Sequence, residues 1–584
     1  MFLKKSSTTI NGKKYNHYKI VESYREGNKI KHRILFNVGK LTDEQAEQLK
    51  LAIQVQSNPS LLVAEEKDIV VTKSFSYLDI MVLHYIWKQW NLDQFFPDDR
   101  WVEALVINRC LDPCSKIKLS SWTDKSVLPA VIPALQKYDD YDVYRELDRL
   151  TKQEDDLQVF LYDQLKRRDR IHSEAFFYDI TSSYFEGSRC IVSTFGYSRD
   201  HRPDREQIVI ALMVTPEGYP FYWRVLEGNT QDITTVEALV QDVRRRFGIK
   251  QCTLVFDRGM VSADNLKEIE KEKLSYISAM DKDEIRTTLL DTVMPEAATP
   301  EDWEQVVAMR EFQPWDENEF LFYRPVTRGE NRYIVTFDVQ RFIEQTKHRD
   351  RQMASIEQSV LEMNEQLGNA KKSRRADVVE RKAAQLLSRK GFKKKAEVTI
   401  EPISLTATTP TGKTRIVKSF RVHLVWLQDA IKDAARLDGL TCFITNMSRD
   451  EVNDREAIEW YRRKNKVEEA FREMKSHLQL RPMHVTRTER VKAHVTVCML
   501  ANFLMNDMEQ MIEKTSHTAS PRAILDDLES CRLHRIEIAT SDRKMLKLQE
   551  ISDQQNQWLQ ALDCEEIVQE KYKKQVYKKV ENWL

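Results

Sequence analysis

From residue 174 to residue 281 the chain alternates between strand-like and helix-like runs, and no other feature constrains the fold so tightly. EAFFYDITSSYFEG is a β-branched and aromatic run that stops at a polar turn. REQIVIALMVTPEGYPFYWRVLEGN reads as two strands joined at PEG. DITTVEALVQDVRRRFG has helical periodicity, with Gly248 as a C-cap. QCTLVFDRG is a buried strand running straight into an acid, and SADNLKEIEKEK opens a helix with Ser262 as N-cap. LSYISAMD closes the series as a short strand. The order strand–strand–strand–helix–strand–helix–strand predicts an α/β core with some parallel pairing.

The rest of the chain is arranged around that core. Residues 1–70 read as a β-rich unit, with REGNK as a hairpin turn, and residues 1–40 hold ten Lys/Arg against Glu22 and Glu26. Such one-sided charge suits a DNA backbone or a solvated hairpin face. Residues 71–170 read as a helical unit, 171–281 as the first part of the core and 282–440 as a mixed β-rich and helical insertion. Residues 441–515 read as the second part of the core and 516–584 as a basic helical tail. The insertion carries strands at EFLFYRPV, NRYIVTFDV, EVTIEPISLTATTP and TRIVKSFRVHLVWL. Its segment 370–395 has eleven Lys/Arg against Asp377 and Glu380.

Composition excludes several classes. The chain has 584 residues, 91 Lys+Arg against 91 Asp+Glu, and 41% hydrophobic residues, which rules out a disordered chain and supplies several cores. The basic start MFLKKSSTTINGKK is followed by no apolar run, so no signal peptide is expected, and no apolar stretch is long enough to cross a bilayer. The eight cysteines are scattered without a zinc pattern and read as free thiols. A cytoplasmic protein with no membrane partner is expected.

Three acids carry the chemistry. Asp179 sits inside an apolar strand, where a charge is costly unless it is paired or bound to a metal. The plain alternative is an edge aspartate satisfied by the Thr181 or Ser182 hydroxyl. Asp257 ends a buried strand, the position where open α/β sheets build sites, and Gly259 allows a sharp turn after it. The plain alternative is a helix cap or Asx-turn. Glu468 lies in EWYRRKNKVEEAFREMKSHLQLRP, where Val467, Ala470, Phe471 and Met474 form an apolar stripe. Tyr461, Lys464, Glu468 and Lys475 share one side of the expected helix. The plain alternative is an exposed face with Glu–Lys pairs. Residues 461–490 hold nine Lys/Arg against four Glu, so the face is net basic, and Arg462 and Arg472 join it as expected DNA contacts. Two strand-borne aspartates and one helix-borne glutamate suit a pair of hard cations such as Mg²⁺. No phosphate-binding GxxxxGK[ST] loop and no GxSxG elbow competes.

FFYDITSSYFEG, TLVFDRGMVSADNL and YRRKNKVEEAFREMKSHLQLRPMHV resemble the three acidic motifs of bacterial insertion-sequence DDE transposases. The third resembles the Y-R-E-K signature of the group with a β-rich insertion in its catalytic domain. The resemblance implies an RNase H-like catalytic core with Asp179, Asp257 and Glu468 as catalytic, metal-binding triad. It implies that Tyr461, Lys464 and Lys475 lie near DNA phosphates. Lys464 stands where the signature has arginine, which keeps the charge and loses the bidentate fork. Asn465 stands where tryptophan is frequent. Trp303, Trp315 and Trp426 are the insertion aromatics that could meet a flipped base.

The function expected from this resemblance is cut-and-paste transposition through metal-dependent DNA cleavage and strand transfer. It would use a pair of Mg²⁺ ions, with Mn²⁺ able to substitute, and hairpin ends belong to what the resemblance implies. The partners expected are double-stranded DNA with terminal inverted repeats, target DNA and a second copy of the chain on DNA. The competing readings are a structure-specific endonuclease on the same fold and a catalytically silent DNA-binding protein.

Overall fold

The computed structural model describes the whole chain except residues 11–12, 59–63, 98–99, 138–140, 187–189, 261, 316–317, 330, 390, 409–412 and 540–542. The chain divides into two compact units. The first takes Met1–Tyr85, Lys118–Tyr138 and Arg522–Leu584, and the second Ile86–Ile117 and Asp139–Pro521. The stretch 71–170, expected as one helical unit, therefore contributes to both.

In the first unit, β1 (Phe2–Ile10), β2 (Lys13–Glu26) and β3 (Lys29–Gly39) form an antiparallel meander. The β2–β3 turn falls at the expected REGNK, with Gly27 in the left-handed region at φ 62°. Helix α1 (Asp43–Ser57) starts at a Thr42–Gln45 capping box, and its Ala46 closes a small core with Leu3 and Tyr18. β4 (Ile69–Ser76) pairs antiparallel with Arg532–Ile538, which pairs in turn with Arg543–Leu548. The tail was expected to be helical. Its two strands escape a periodicity reading because they are short and one of them completes its ladder with a partner hundreds of residues upstream.

The second unit is built on a nine-stranded sheet. Its first five strands are β5 (Ala175–Tyr184), β6 (Gln207–Val214), β7 (Pro220–Glu227), β8 (Thr253–Phe256) and β9 (Ser275–Ala279). They lie side by side in the order β7-β6-β5-β8-β9. β6 runs antiparallel to both its neighbours, β5 and β7, while β5, β8 and β9 are parallel. This is the order and polarity of an RNase H-like core. The strands are largely buried on both faces, as β6 shows with all eight residues buried, because helices cover the sheet. Gly248 follows the helix Val236–Arg245 at φ 65°, and the Ser262 side chain caps Ala263–Lys271 by accepting from Asn265 N.

The insertion does not stand apart from this sheet. β10 (Gln313–Trp315), β11 (Asn318–Arg328) and β12 (Asn331–Asp338) extend it beyond β9 through β15 (Leu440–Thr445). The remainder of the insertion has its own core. The helices Val339–Gly368 and Ala376–Arg389 and the ribbon of β13 (Ala396–Thr408) with β14 (Thr414–Trp426) close around Ile356, Ala383 and Val422.

Four more helices position the site. α2 (Arg100–Leu111) and α3 (Asp142–Arg167) precede the sheet, and the two-part helix described below follows β15. The helix Thr488–Ile512 is buried along most of its length, as its apolar composition implies. Its Asp507 accepts from Trp90 Nε1 and from Tyr219 Oη, each at 2.8 Å. Its Thr496 accepts from Trp223 Nε1 at 3.1 Å. Among the described residues no helix is long and apolar enough to cross a membrane, and all eight cysteines are free thiols.

Candidate active site

Asp179 and Asp257 stand on neighbouring parallel strands. The last paired residues of β5 and β8 are Tyr178 and Phe256, and each aspartate is the next residue along. The two carboxylates therefore emerge side by side at the carboxyl end of β8, where crossover connections leave a crevice. Asp179 Oδ1 accepts from the Ile180 amide at 2.8 Å. Neither hydroxyl expected to satisfy it does so: Thr181 Oγ1 accepts from Lys475 Nζ at 2.6 Å, and Ser182 Oγ accepts from Arg199 N at 2.9 Å. Asp257 Oδ1 accepts from the Arg258 amide at 2.8 Å and from Tyr461 Oη at 3.1 Å. The turn after Asp257 is a single 3₁₀ turn. Gly259 there has no left-handed φ; its bare Cα matters instead because a Cβ would stand 3.3 Å from Asp232 Oδ2.

The expected single helix through Glu468 is jointed. It runs Asp454–Arg463 and then Asn465–Ser476, with Lys464 between them. At the joint the amides of Lys464 and Val467 bond three residues back rather than four, so the turn is tightened. The apolar stripe is as expected, with Val467, Ala470, Phe471 and Met474 all buried. The polar face still meets the strand ends. Tyr461 reaches Asp257, Lys464 Nζ lies 2.9 Å from Glu468 Oε1, and Lys475 reaches β5 at Thr181. Lys464 is only 4% exposed, while the Glu468 side chain keeps half its exposure.

Electrostatics joins these groups. Burial pushes the Asp179 carboxyl up to about 6, against the pull of Lys464, and Asp257 and Glu468 push it further the same way. Burial alone would lower the Lys464 ammonium, yet Asp179, Glu468 and Asp257 outweigh it and the group is raised. Burial also lifts the Tyr461 phenol, reinforced by Asp257. Asp179 thus senses both of the other carboxylates and the buried Lys464 ammonium. Among the described residues no three acidic, imidazole or thiol groups form a ready-made metal cage; Glu468 is turned to Lys464.

Arg472 is exposed, and Arg462 is exposed with its guanidinium 5.9 Å from the Trp315 ring. Trp315 is buried, Trp303 packs against Phe322, and Trp426 donates to Glu357 Oε1 at 2.8 Å inside the insertion core. One residue at the site has no counterpart in the sequence reading. Asp200 is almost wholly buried and accepts from Lys475 Nζ at 2.7 Å and from Arg481 Nη1 at 2.6 Å. Its only signal is its place in the charged run SRDHRPDRE, where nothing distinguishes it from its exposed neighbours.

A sheet of this order with acids at its strand ends is that of a nucleic-acid-processing enzyme, and comparison identifies the family: residues 191–504, more than half of the chain, match the transposase DDE domain, and the chain belongs to that family. The matched span holds Asp257 and Glu468 and begins just after β5, which carries Asp179. Residues 3–60 match the N-terminal domain of IS1634 family transposases, so the enzyme is an insertion-sequence DDE transposase, which cuts DNA and transfers strands. A comparison with curated proteins returned no match.

Proposed function

We propose that Asp179, Asp257 and Glu468 are the catalytic triad and that they hold two divalent cations, Mg²⁺ or Mn²⁺. The observation that carries this reading is that the β5–β8 register sets Asp179 beside Asp257, with the half-buried Asp179 carboxyl raised and both Asp257 and Glu468 adding to the rise. Clustered carboxylates of this kind favour a hard cation, and the donor set is all oxygen. The family acts through divalent metal ions, which would supply charge neutralisation at the attacking and leaving oxygens. Glu468 would join the two aspartates by leaving Lys464, whose ammonium is then free for a DNA phosphate.

The chain's own residues do the positioning. Tyr461 holds Asp257 by its hydroxyl. Lys464, Lys475, Arg462 and Arg472 face the phosphodiester backbone, Lys475 being oriented by Thr181 and Asp200. In the first step water forms a P–O bond and the P–O3′ bond at the element end breaks, leaving a 3′ hydroxyl and a 5′ phosphate. In the second, that 3′ hydroxyl attacks in line a phosphodiester of the opposite strand, closing a hairpin, or of target DNA: a new 3′O–P bond forms, the attacked P–O3′ bond breaks, and the attacking hydroxyl's proton is balanced by the one the departing 3′ oxygen takes up. Terminal inverted repeats mark the substrate, and joining two ends calls for a homodimer on DNA in the bacterial cytoplasm. The basic N-terminal meander is a further DNA contact.

The test is cleavage of a labelled element-end duplex with Mg²⁺ or Mn²⁺, comparing wild type with Asp179→Ala, Asp257→Ala and Glu468→Ala. Binding without cutting in all three supports the triad; cutting at the wild-type rate by any of them removes that residue from it.

A further inference from the structure

The second unit holds a cavity of about 390 Å³ that the chemistry above does not use. It lies between the C-terminal end of α2, the turn Pro113–Ile117, and the segment Gln479–Val485 that follows the Glu468 helix, with His494 at its floor. Arg109, Lys116 and Arg481 line it together with His484 and His494, and no Asp or Glu lines it among the described residues.

These cations are built in rather than splayed on a surface. Arg109 is 6% exposed; its Nη2 donates to the Cys114 carbonyl at 3.2 Å, and its Nε has no hydrogen-bond partner among the described residues. Lys116 Nζ lies 3.0 Å from His494 Nδ1, and His494 Nε2 lies 3.2 Å from the Leu480 carbonyl. A carbonyl can only accept, so Nε2 carries the proton and Nδ1 accepts from the lysine. Burial, then Lys116 and Arg109, hold that imidazole neutral. Burial, then Arg109, brings the Lys116 ammonium down to about 7. A buried cation with an unused donor, in a cavity without acids, is electrostatically incomplete until an anion enters. The cavity is also tied to the reaction centre. Arg481 pairs with Asp200, Asp200 with Lys475, and Lys475 with Thr181, two residues along β5 from Asp179 and on the same face.

We propose that this cavity seats a backbone phosphate of the element-end DNA, gripped by Lys116, Arg109 and Arg481, and so sets the register of the strand across the carboxylates. The inference rests on DNA being the substrate, and not on which carboxylates cut it.

The test is binding of a fluorescent element-end duplex in EDTA, so that no cleavage occurs, read by anisotropy over a range of salt. Lys116→Gln is expected to bind about 5- to 10-fold more weakly and to lower the salt slope by about 1, as loss of one phosphate contact does. Lys116→Arg should retain most of the affinity. Ser115→Glu places an acid on the exposed turn at the rim without touching the core and should weaken binding as well, so a folding defect in Lys116→Gln leaves the question decidable. Wild-type affinity and slope in both Lys116→Gln and Ser115→Glu would overturn the proposal. Calorimetry with deoxyadenosine monophosphate separates the sources of phosphate: if the free nucleotide binds while duplex binding is insensitive to both variants, the occupant is not DNA and the proposal falls. A wrong triad shows up differently, as cleavage that survives Asp179→Ala while these binding results stand.

Discussion

Lys464 sets its ammonium against Glu468, Nζ to Oε1 at 2.9 Å, from a residue that is itself almost wholly buried. The pair begins at the joint between two helical segments, so the proposed helix-borne acid of the site and a cation that senses both strand aspartates are presented together. With the family's need for divalent metal ions, this contact is where a change between resting and DNA-bound arrangements is expected.

Conservative replacement of the acids should separate binding from chemistry. Asp179→Asn, Asp257→Asn and Glu468→Gln are each expected to lower metal-dependent cleavage by at least about 10³-fold. Duplex affinity in EDTA should be kept or improved, since each change removes a negative charge facing the DNA. Parallel anisotropy and gel cleavage assays check this.

Tyr461→Phe removes one hydroxyl and little else. The lost bond to the Asp257 carboxylate is worth about 1.5–3 kcal/mol as a hydrogen bond to a charged group. Cleavage is expected to fall about 10- to 100-fold with the fold intact. Single-turnover rates, with circular dichroism as the control, measure it; an unchanged rate would mean that Asp257 does not need this hydroxyl.

A pH effect is expected in the first unit. Asp79 is 2% exposed, and burial lifts its carboxyl to about 7, with Glu529 adding to the rise. An acid raised above its unfolded value near 4 binds its proton more tightly when folded, so stability falls as pH rises from about 4 to about 7 and is then level. Asp79→Asn removes that loss. The variant should be more stable than wild type at pH 8 by on the order of 2–4 kcal/mol, with the advantage gone near pH 4. Melting curves at the two pH values decide it; an equal gain at both would assign the effect to packing.

The Asp507 cluster is a stability element. Asp507→Ala leaves the indole of Trp90 and the phenol of Tyr219 without their acceptor in a buried site. The expected cost is on the order of 3–5 kcal/mol, read as a shift in the urea midpoint. Asp507→Asn keeps one acceptor oxygen and should cost less.

What was legible in the sequence was whatever rests on local chain chemistry. The strand–helix alternation of residues 174–281, the Gly27 turn, the Ser262 cap and the apolar stripe of Val467, Ala470, Phe471 and Met474 follow from backbone propensity and burial periodicity over a few residues. So does the placing of Asp257 at the end of a buried strand, because the apolar run TLVF meets an acid followed by the turn-forming Arg258-Gly259. Tertiary structure decided what depends on pairing between distant segments. It put Asp179 level with Asp257 through the β5–β8 register, merged β10–β12 and β15 into the core sheet, and gave β4 a partner from the tail. It turned Thr181 from Asp179 to Lys475, made Asp200 a buried anchor, and gathered Arg109, Lys116, Arg481 and His494 around one cavity. Local sequence carries no information about such contacts, because a strand edge, a buried carboxylate and a lysine each have many competent partners. Which one is met depends on how the whole chain closes its cores.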